Sequence, residues 1–212
     1  MKKIITVDLH HEVLVPWEIC RQITGGPLSV LSLDFHTDVL NCARRGIILP
    51  GDAAEAVQVL HHDEHFDWAL RKNIISQAKI ISLSPCAVQP EHANLTVCRS
   101  ESLPDMDEML NGGNRFRPLA EMVLSDTFLA PLLADGFPSQ PYILDIDCDF
   151  ILCEKALFPE KNSLLLHLAE NAELITLSRE NDWVRILKLA GENISGTQIA
   201  AALTDMFSAK LG

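Results

Sequence analysis

The sequence predicts an α/β fold, a three-layer α/β/α arrangement built around a mainly parallel sheet. Three observations carry that expectation. Short apolar runs alternate with segments of helical period, the pattern of strands joined by crossover helices. The runs lack internal polar alternation, which fits a sheet covered on both faces. The conspicuous polar clusters fall where the runs end, and open α/β sheets gather functional groups at the carboxyl ends of their strands. A length of 212 residues fits one domain, 1–212, with a substantial core.

The elements follow in order. Residues 4–7 read as a first strand and 12–23 as a helix, with Pro16 tolerated in its first turn and Gly25-Gly26-Pro27 stopping it. Residues 28–33 form the second strand, and 41–50 are loop. Short helices are expected at 51–60 and 66–77, then strands at 79–83 and 95–98, with Ser84-Pro85 ending the former. Asn111-Gly112-Gly113-Asn114 is a loop, and 111–117 is a candidate rim to a site. Residues 118–133 read as the longest helix, and 142–150 as a buried strand. A helix at 163–172, a strand at 174–177 and helices at 181–191 and 196–210 complete the chain.

Composition narrows the function. A hydrophobic content of 48% with 22% charged residues is that of a globular protein. The net charge of −12 argues against nucleic acid as the main partner, since phosphate binding needs an excess of Lys and Arg. The six cysteines include no C-x-x-C pair, so reduced thiols and a cytoplasmic protein are expected. Asp8, His10, His11 and Glu12 interrupt the N-terminal apolar run too early for a signal peptide, and no run reaches the ~18–20 apolar residues of a membrane span.

Three polar clusters sit at strand ends: Asp8 to Glu12, Asp34 to Asp38, and Asp145 to Asp149. Residues i and i+2 of a strand share a face, so Asp34 with His36, and Asp145 with Asp147, can meet one ion. Asp34 and Asp38 would lie ~13 Å apart in an extended strand. Paired catalytic metals lie only ~3.5–4 Å apart, so regular strand geometry must end near His36 if Asp38 also binds. Buried carboxylates without a counter-charge are costly, and a shared cation removes that cost. Oxygen-rich donors with a minority of imidazole suit Mn²⁺, with Zn²⁺ or Fe²⁺ as alternatives. Other motifs fail: Phe150 stands where a calcium loop from Asp145 needs Gly, and His62 where a zinc-protease helix from His61 needs Glu.

Asp34-Phe35-His36-Thr37-Asp38 resembles the D-A-H-x-D motif of the arginase/ureohydrolase family, and Asp145-Ile146-Asp147 resembles that family's later D-x-D motif. The stretch Leu9 to Leu14 resembles the first-histidine region of a smaller arginase-related group that includes peptide arginases. The resemblance implies an arginase–deacetylase-like fold and two divalent metal ions. One would be held by His10, Asp34, Asp38 and Asp145, the other by His36, Asp34, Asp145 and Asp147. His11 competes with His10 for the first place, and Leu9 stands where the family has Asp. The implied chemistry is hydrolysis of a C–N bond at a guanidinium or amide carbon of a small molecule or peptide, by hydroxide generated at the two ions near neutral pH. Asp147 or Asp149 would hold the nucleophile's proton. His65, backed by His61 and His62, would protonate the leaving amine. Glu180 falls where the family has a substrate-facing Glu, with Glu64 as the alternative. A single-metal deacetylase-type amidohydrolase and a non-catalytic binding protein of the same fold are the competing expectations, and oligomerisation is compatible with each.

Overall fold

The structure is a computed structural model that describes residues 3–86, 88–101, 103 and 116–211. Six parallel strands form one sheet in the order β1-β6-β5-β2-β3-β4. They are β1 (Lys3–Val7), β2 (Leu28–Asp34), β3 (Ile75–Ser82), β4 (Leu95–Cys98), β5 (Tyr142–Asp147) and β6 (Leu174–Ser178). The described helices are α1 (Leu14–Thr24), α2 (Ala53–Val59), α3 (His65–Arg71), α4 (Arg117–Ala120), α5 (Asp126–Leu132), α6 (Ser163–Asn171), α7 (Asn181–Leu187) and α8 (Gly196–Leu211). Short 3-10 turns occupy His10–Val13, Cys42–Arg45, His62–Glu64, Cys148–Phe150 and Glu154–Leu157.

Strand alternation splits the core in two. Leu31, Leu33, Ile81, Leu144, Ile146, Ile175 and Leu177 pack on one side with Phe128 and Leu129 of α5, Leu165 of α6, and Ile199, Leu203 and Phe207 of α8. Leu28, Val30, Ala78, Ile80, Ile143 and Leu174 pack on the other with Leu14 and Trp17 of α1, Ala53 and Ala56 of α2, and Phe66 and Trp68 of α3. The result is three layers, helix on sheet on helix. Parallel strands buried on both faces have no use for polar alternation, which is why the strands read as apolar runs.

Every expected strand is present, although the one expected over 142–150 ends at Asp147 and continues as a 3-10 turn, and two helical expectations are corrected. The segment 66–77 does not stay helical: α3 ends at Arg71, Asn73 turns left-handed with φ 54°, and β3 starts at Ile75. The segment 118–133 is two helices, because the Ser125 hydroxyl accepts from Phe128 N–H and starts α5 afresh. Among the described residues the longest helix is α8. The loop expected at 111–114 lies outside the described residues, as does the rim segment up to residue 115. All six cysteines are free thiols. No described helix is long and apolar enough to cross a membrane.

Candidate metal centre

The sheet runs outward in one direction from β2 to β3 and β4, and in the other from β5 to β6. The crevice between β2 and β5 is therefore the switch point at which doubly wound sheets open a site beyond their carboxyl ends. One sheet face changes character there. Ser32, Asp145 and Thr176 stand in register as one row across β2, β5 and β6. Asp34 and Asp147 follow two residues later, with Ser178 in register beside Asp147. All are buried. The same face carries Val30, Ile143 and Leu174 nearer the strand starts, so an apolar floor gives way to a polar end.

Strand β2 stops at Asp34, and the chain turns so that Asp38, at φ 46°, swings its carboxylate back. Its Oδ2 lies 3.0 Å from Nδ1 of His10, which the 3-10 turn after β1 carries over the sheet end. The same Nδ1 is 3.3 Å from Asp147 Oδ2 and 3.5 Å from Asp34 Oδ2. A second imidazole stands nearer the opening. His36 Nδ1 is 2.9 Å from Asp149 Oδ2 and 3.9 Å from Asp34 Oδ1. Among the described residues, His10–Asp34–Asp147, His10–Asp38–His65 and Asp34–His36–Asp149 each converge closely enough to share an ion.

On β5 the expected ligands are Asp145 and Asp147. Asp145 belongs to none of the converging groups, whereas Asp147 and Asp149 do. Asp145 Oδ1 accepts from Thr176 (2.6 Å), and Oδ2 accepts from Ser32 (2.7 Å) and meets His10 Nε2 at 2.8 Å. It lies one pleat deeper, ~7 Å back along the strand. Asp149 reaches the group because the 3-10 turn Cys148–Phe150 folds it over: its N–H donates to Asp147 Oδ1 (3.0 Å), and its Oδ1 accepts from Phe35 N–H (3.1 Å).

The remaining expected residues differ in their surroundings. His11 points away and meets the Val57 carbonyl at 3.2 Å. His65 is fully buried, with its ring 4.5 Å from that of His10 and 4.3 Å from Phe66, and its Nδ1 2.8 Å from the His62 carbonyl. Burial, reinforced by the charge of His10, holds it neutral with a pKa down at about 3. A proton carrier needs a pKa near the working pH, and burial works against that for His65. Glu64 is buried, with Arg45 at 3.1 Å, and accepts from His61 N–H (2.9 Å). Glu180 does join the site. It caps α7 in a left-handed conformation, φ 39°, and its Oε1 accepts from His10 N–H at 2.7 Å. Trp183, three residues on, sets its ring 4.7 Å from His36. The sequence reading missed Trp183, Ser32 and Thr176. The signal for the last two was a hydroxyl inside an otherwise apolar strand, in LSVLSLD and LITLS.

Electrostatically the site is short of positive charge. Asp34, Asp38, Asp145, Asp147 and Asp149 are buried around His10 and His36, so five ionised carboxylates exceed even two protonated imidazoles by three charges. Burial, then the neighbouring charges of Asp38 and Asp149, drives Asp34 well above the usual carboxylate range. Burial and Asp149 do the same to Asp147. Burial opposes a charge on His36, but the Asp149 carboxylate outweighs it and lifts the pKa to about 9. His10 is also raised despite burial, chiefly by Asp145. Burial works against ionised Asp38 and Asp145, yet their contacts with His10 keep both below the usual range. Asp34 Oδ2 and Asp149 Oδ2 are buried without a hydrogen-bond partner; the latter lies near His36 without the alignment of a hydrogen bond. Bare acceptors of this kind, beside imidazole nitrogens, form a donor set that fits a divalent cation.

No family model and no curated protein sequence matches the chain. Solved structures do. Proclavaminate amidinohydrolase from Streptomyces clavuligerus aligns with a TM-score of 0.55 at 14% identity, covering 98% of this chain and 63% of its own. A hypothetical agmatinase from Burkholderia thailandensis aligns with a TM-score of 0.51 at 14% identity, covering 99% of this chain and 59% of its own. The chain thus spans about three fifths of the length of these relatives, and at such identity the likeness is one of fold. With its six-stranded parallel sheet and a helical layer on each face, the chain has the arginase/ureohydrolase fold.

Proposed function

We propose that this chain is a two-metal hydrolase of C–N bonds in guanidino compounds. The observation that carries the reading is Asp34, whose Oδ2 faces His10 while its Oδ1 faces His36, so that one carboxylate belongs to two converging donor groups. On one side His10 Nδ1, Asp34, Asp38 and Asp147 hold an ion; on the other His36 Nδ1, Asp34 and Asp149 hold a second. Each side is mostly carboxylate oxygen with one imidazole, which favours Mn²⁺ over Zn²⁺ or Fe²⁺. Two cations so held supply Lewis acidity and hydroxide near neutral pH.

The chain's own groups supply orientation. Glu180 and Trp183 lie beside the two imidazoles, one anionic and one aromatic. A planar guanidinium pairs with the first and stacks on the second. The buried walls of Trp17, Phe66 and His65 keep water from the far side of His10. Arginine within a peptide is the preferred substrate, converted to ornithine with release of urea.

The test is urea release by Mn²⁺-loaded protein from an arginine-containing peptide, free arginine and a simple alkylguanidine. Urea from at least one, lost in Asp34→Ala, supports the reading. No urea from any, or release that survives Asp34→Ala, overturns it.

A further inference from the structure

We propose that Asp145 is a positioning residue that fixes His10 through its Nε2 and so sets the metal affinity of the His10 side of the centre. The inference rests on the two-metal reading and goes beyond it, since Asp145 is assigned no ion.

His10 is clamped between two rows of the sheet face. Its Nδ1 looks toward Asp34, Asp38 and Asp147. Its Nε2 looks the other way, 2.8 Å from Asp145 Oδ2. With a cation at Nδ1, Nε2 must carry the proton and donate it to Asp145. That carboxylate fixes the tautomer, holds the ring plane and raises the basicity of the ligating nitrogen, the service that outer carboxylates perform for metal-bound imidazoles.

Asp145 is itself held from both neighbouring strands. Ser32 on β2 donates to Oδ2, Thr176 on β6 donates to Oδ1, and Trp17 Nε1 in turn donates to Thr176 Oγ1 at 3.3 Å. Because Ser32, Asp145 and Thr176 are in register on three adjacent hydrogen-bonded strands, this row is as rigid as the sheet. The carboxylate has no freedom to climb toward the ions, and its oxygens are already used. A carboxylate aimed at a single imidazole nitrogen, braced by two hydroxyls and an indole, is a support and not a ligand.

The experiment compares Mn²⁺ titrations of wild type, Asp145→Asn and Asp147→Asn, with electron paramagnetic resonance at saturating Mn²⁺. Asp145→Asn keeps the shape and an acceptor for His10 but removes the charge. The expected result is two ions in wild type and two in Asp145→Asn, one of them weakened by about 10- to 100-fold. The spin-coupled pair signal should persist in Asp145→Asn at saturation and vanish in Asp147→Asn. An Asp145→Asn titration identical to wild type overturns the proposal, because the residue then only packs. Loss of an ion in Asp145→Asn, as in Asp147→Asn, also overturns it, because Asp145 is then a ligand. No ion in wild type overturns the two-metal reading itself and removes this proposal with it. Should Asp145→Asn fail to fold, Thr176→Val releases one brace and must weaken the same ion by a smaller factor; no change in that variant counts against the proposal.

Discussion

His10 and Asp38 meet at 3.0 Å across the end of β2, and they do so because Asp38 takes a left-handed backbone conformation, φ 46°. Asp38, Asn73 and Glu180 are the non-glycine residues of positive φ among those described, and two of the three grip His10. Such conformations cost of order 1–2 kcal/mol in an L-residue and persist where surroundings impose them. Here they bring one carboxylate to the His10 ring and another to its backbone N–H. That concentration of strain on one imidazole marks His10 as the residue the fold is built to hold.

Asp38→Asn keeps a side chain that tolerates the left-handed region and can still accept from His10. Protein stripped of metal should lose no more than about 1–2 kcal/mol in urea unfolding. Mn²⁺ affinity should fall by more than the ~10- to 100-fold typical of an outer partner. Affinity left intact would contradict a ligand role for Asp38.

Stability and metal binding should respond to pH in opposite directions. Against burial, the Asp149 carboxylate pushes His36 up to about 9 from the ordinary 6.5, and His10 is raised too. A group whose folded pKa exceeds its unfolded value contributes stability that is full below the unfolded value and lost as pH rises through the folded one. The raised pKa values of Asp34 and Asp147 act in the same sense, starting from lower pH. Asp38 and Asp145, whose pKa values are lowered, act in the opposite sense, and only in acid. Stripped protein should therefore lose thermal stability from pH 6.5 to about 9. Mn²⁺ must displace the same protons, so its affinity should rise over that window. A stripped-protein Tm that climbs with pH there would refute the electrostatic description.

Glu180→Gln preserves an acceptor for His10 N–H but removes the charge offered to a guanidinium. Losing a charge-assisted hydrogen bond of roughly 1.5–3 kcal/mol should raise KM for a guanidino substrate about 10- to 100-fold, with kcat less affected. An unchanged KM would remove Glu180 from substrate recognition.

His65→Phe should cost about 1–3 kcal/mol, because the His62 carbonyl loses its partner. The shape of the pH–rate profile should survive. Disappearance of one limb would assign His65 a role as proton carrier.

The central strands β2, β5 and β6 were legible because each is a largely apolar run buried on both faces, and the clusters were legible because charge at a strand end has few structural uses. The turn at Asn73 was hidden: an Asn after a helix is a weak stop signal, and the 74–81 stretch that follows mixes apolar residues with Ser76, Gln77 and Lys79. Ser125 broke a helix that periodicity alone continued. The choice among Asp145, Asp147 and Asp149 was beyond reach of the local pattern. All three alternate at the same parity, so spacing marks a shared face without saying where the strand stops. Pairing with β2 and β6 ends β5 at Asp147, and the turn beyond it brings Asp149 to the crevice while Asp145 stays in the sheet. The burial of His65 depends likewise on how α3 packs against α1, a contact between segments about 50 residues apart.

Elemental analysis of Mn²⁺-loaded protein, after removal of unbound metal, tests the central claim most directly, with Asp34→Ala measured alongside. Two ions per chain in wild type and neither retained in Asp34→Ala is the result predicted for a carboxylate shared by both donor groups. No metal in wild type, or a content that Asp34→Ala leaves unchanged, would contradict it.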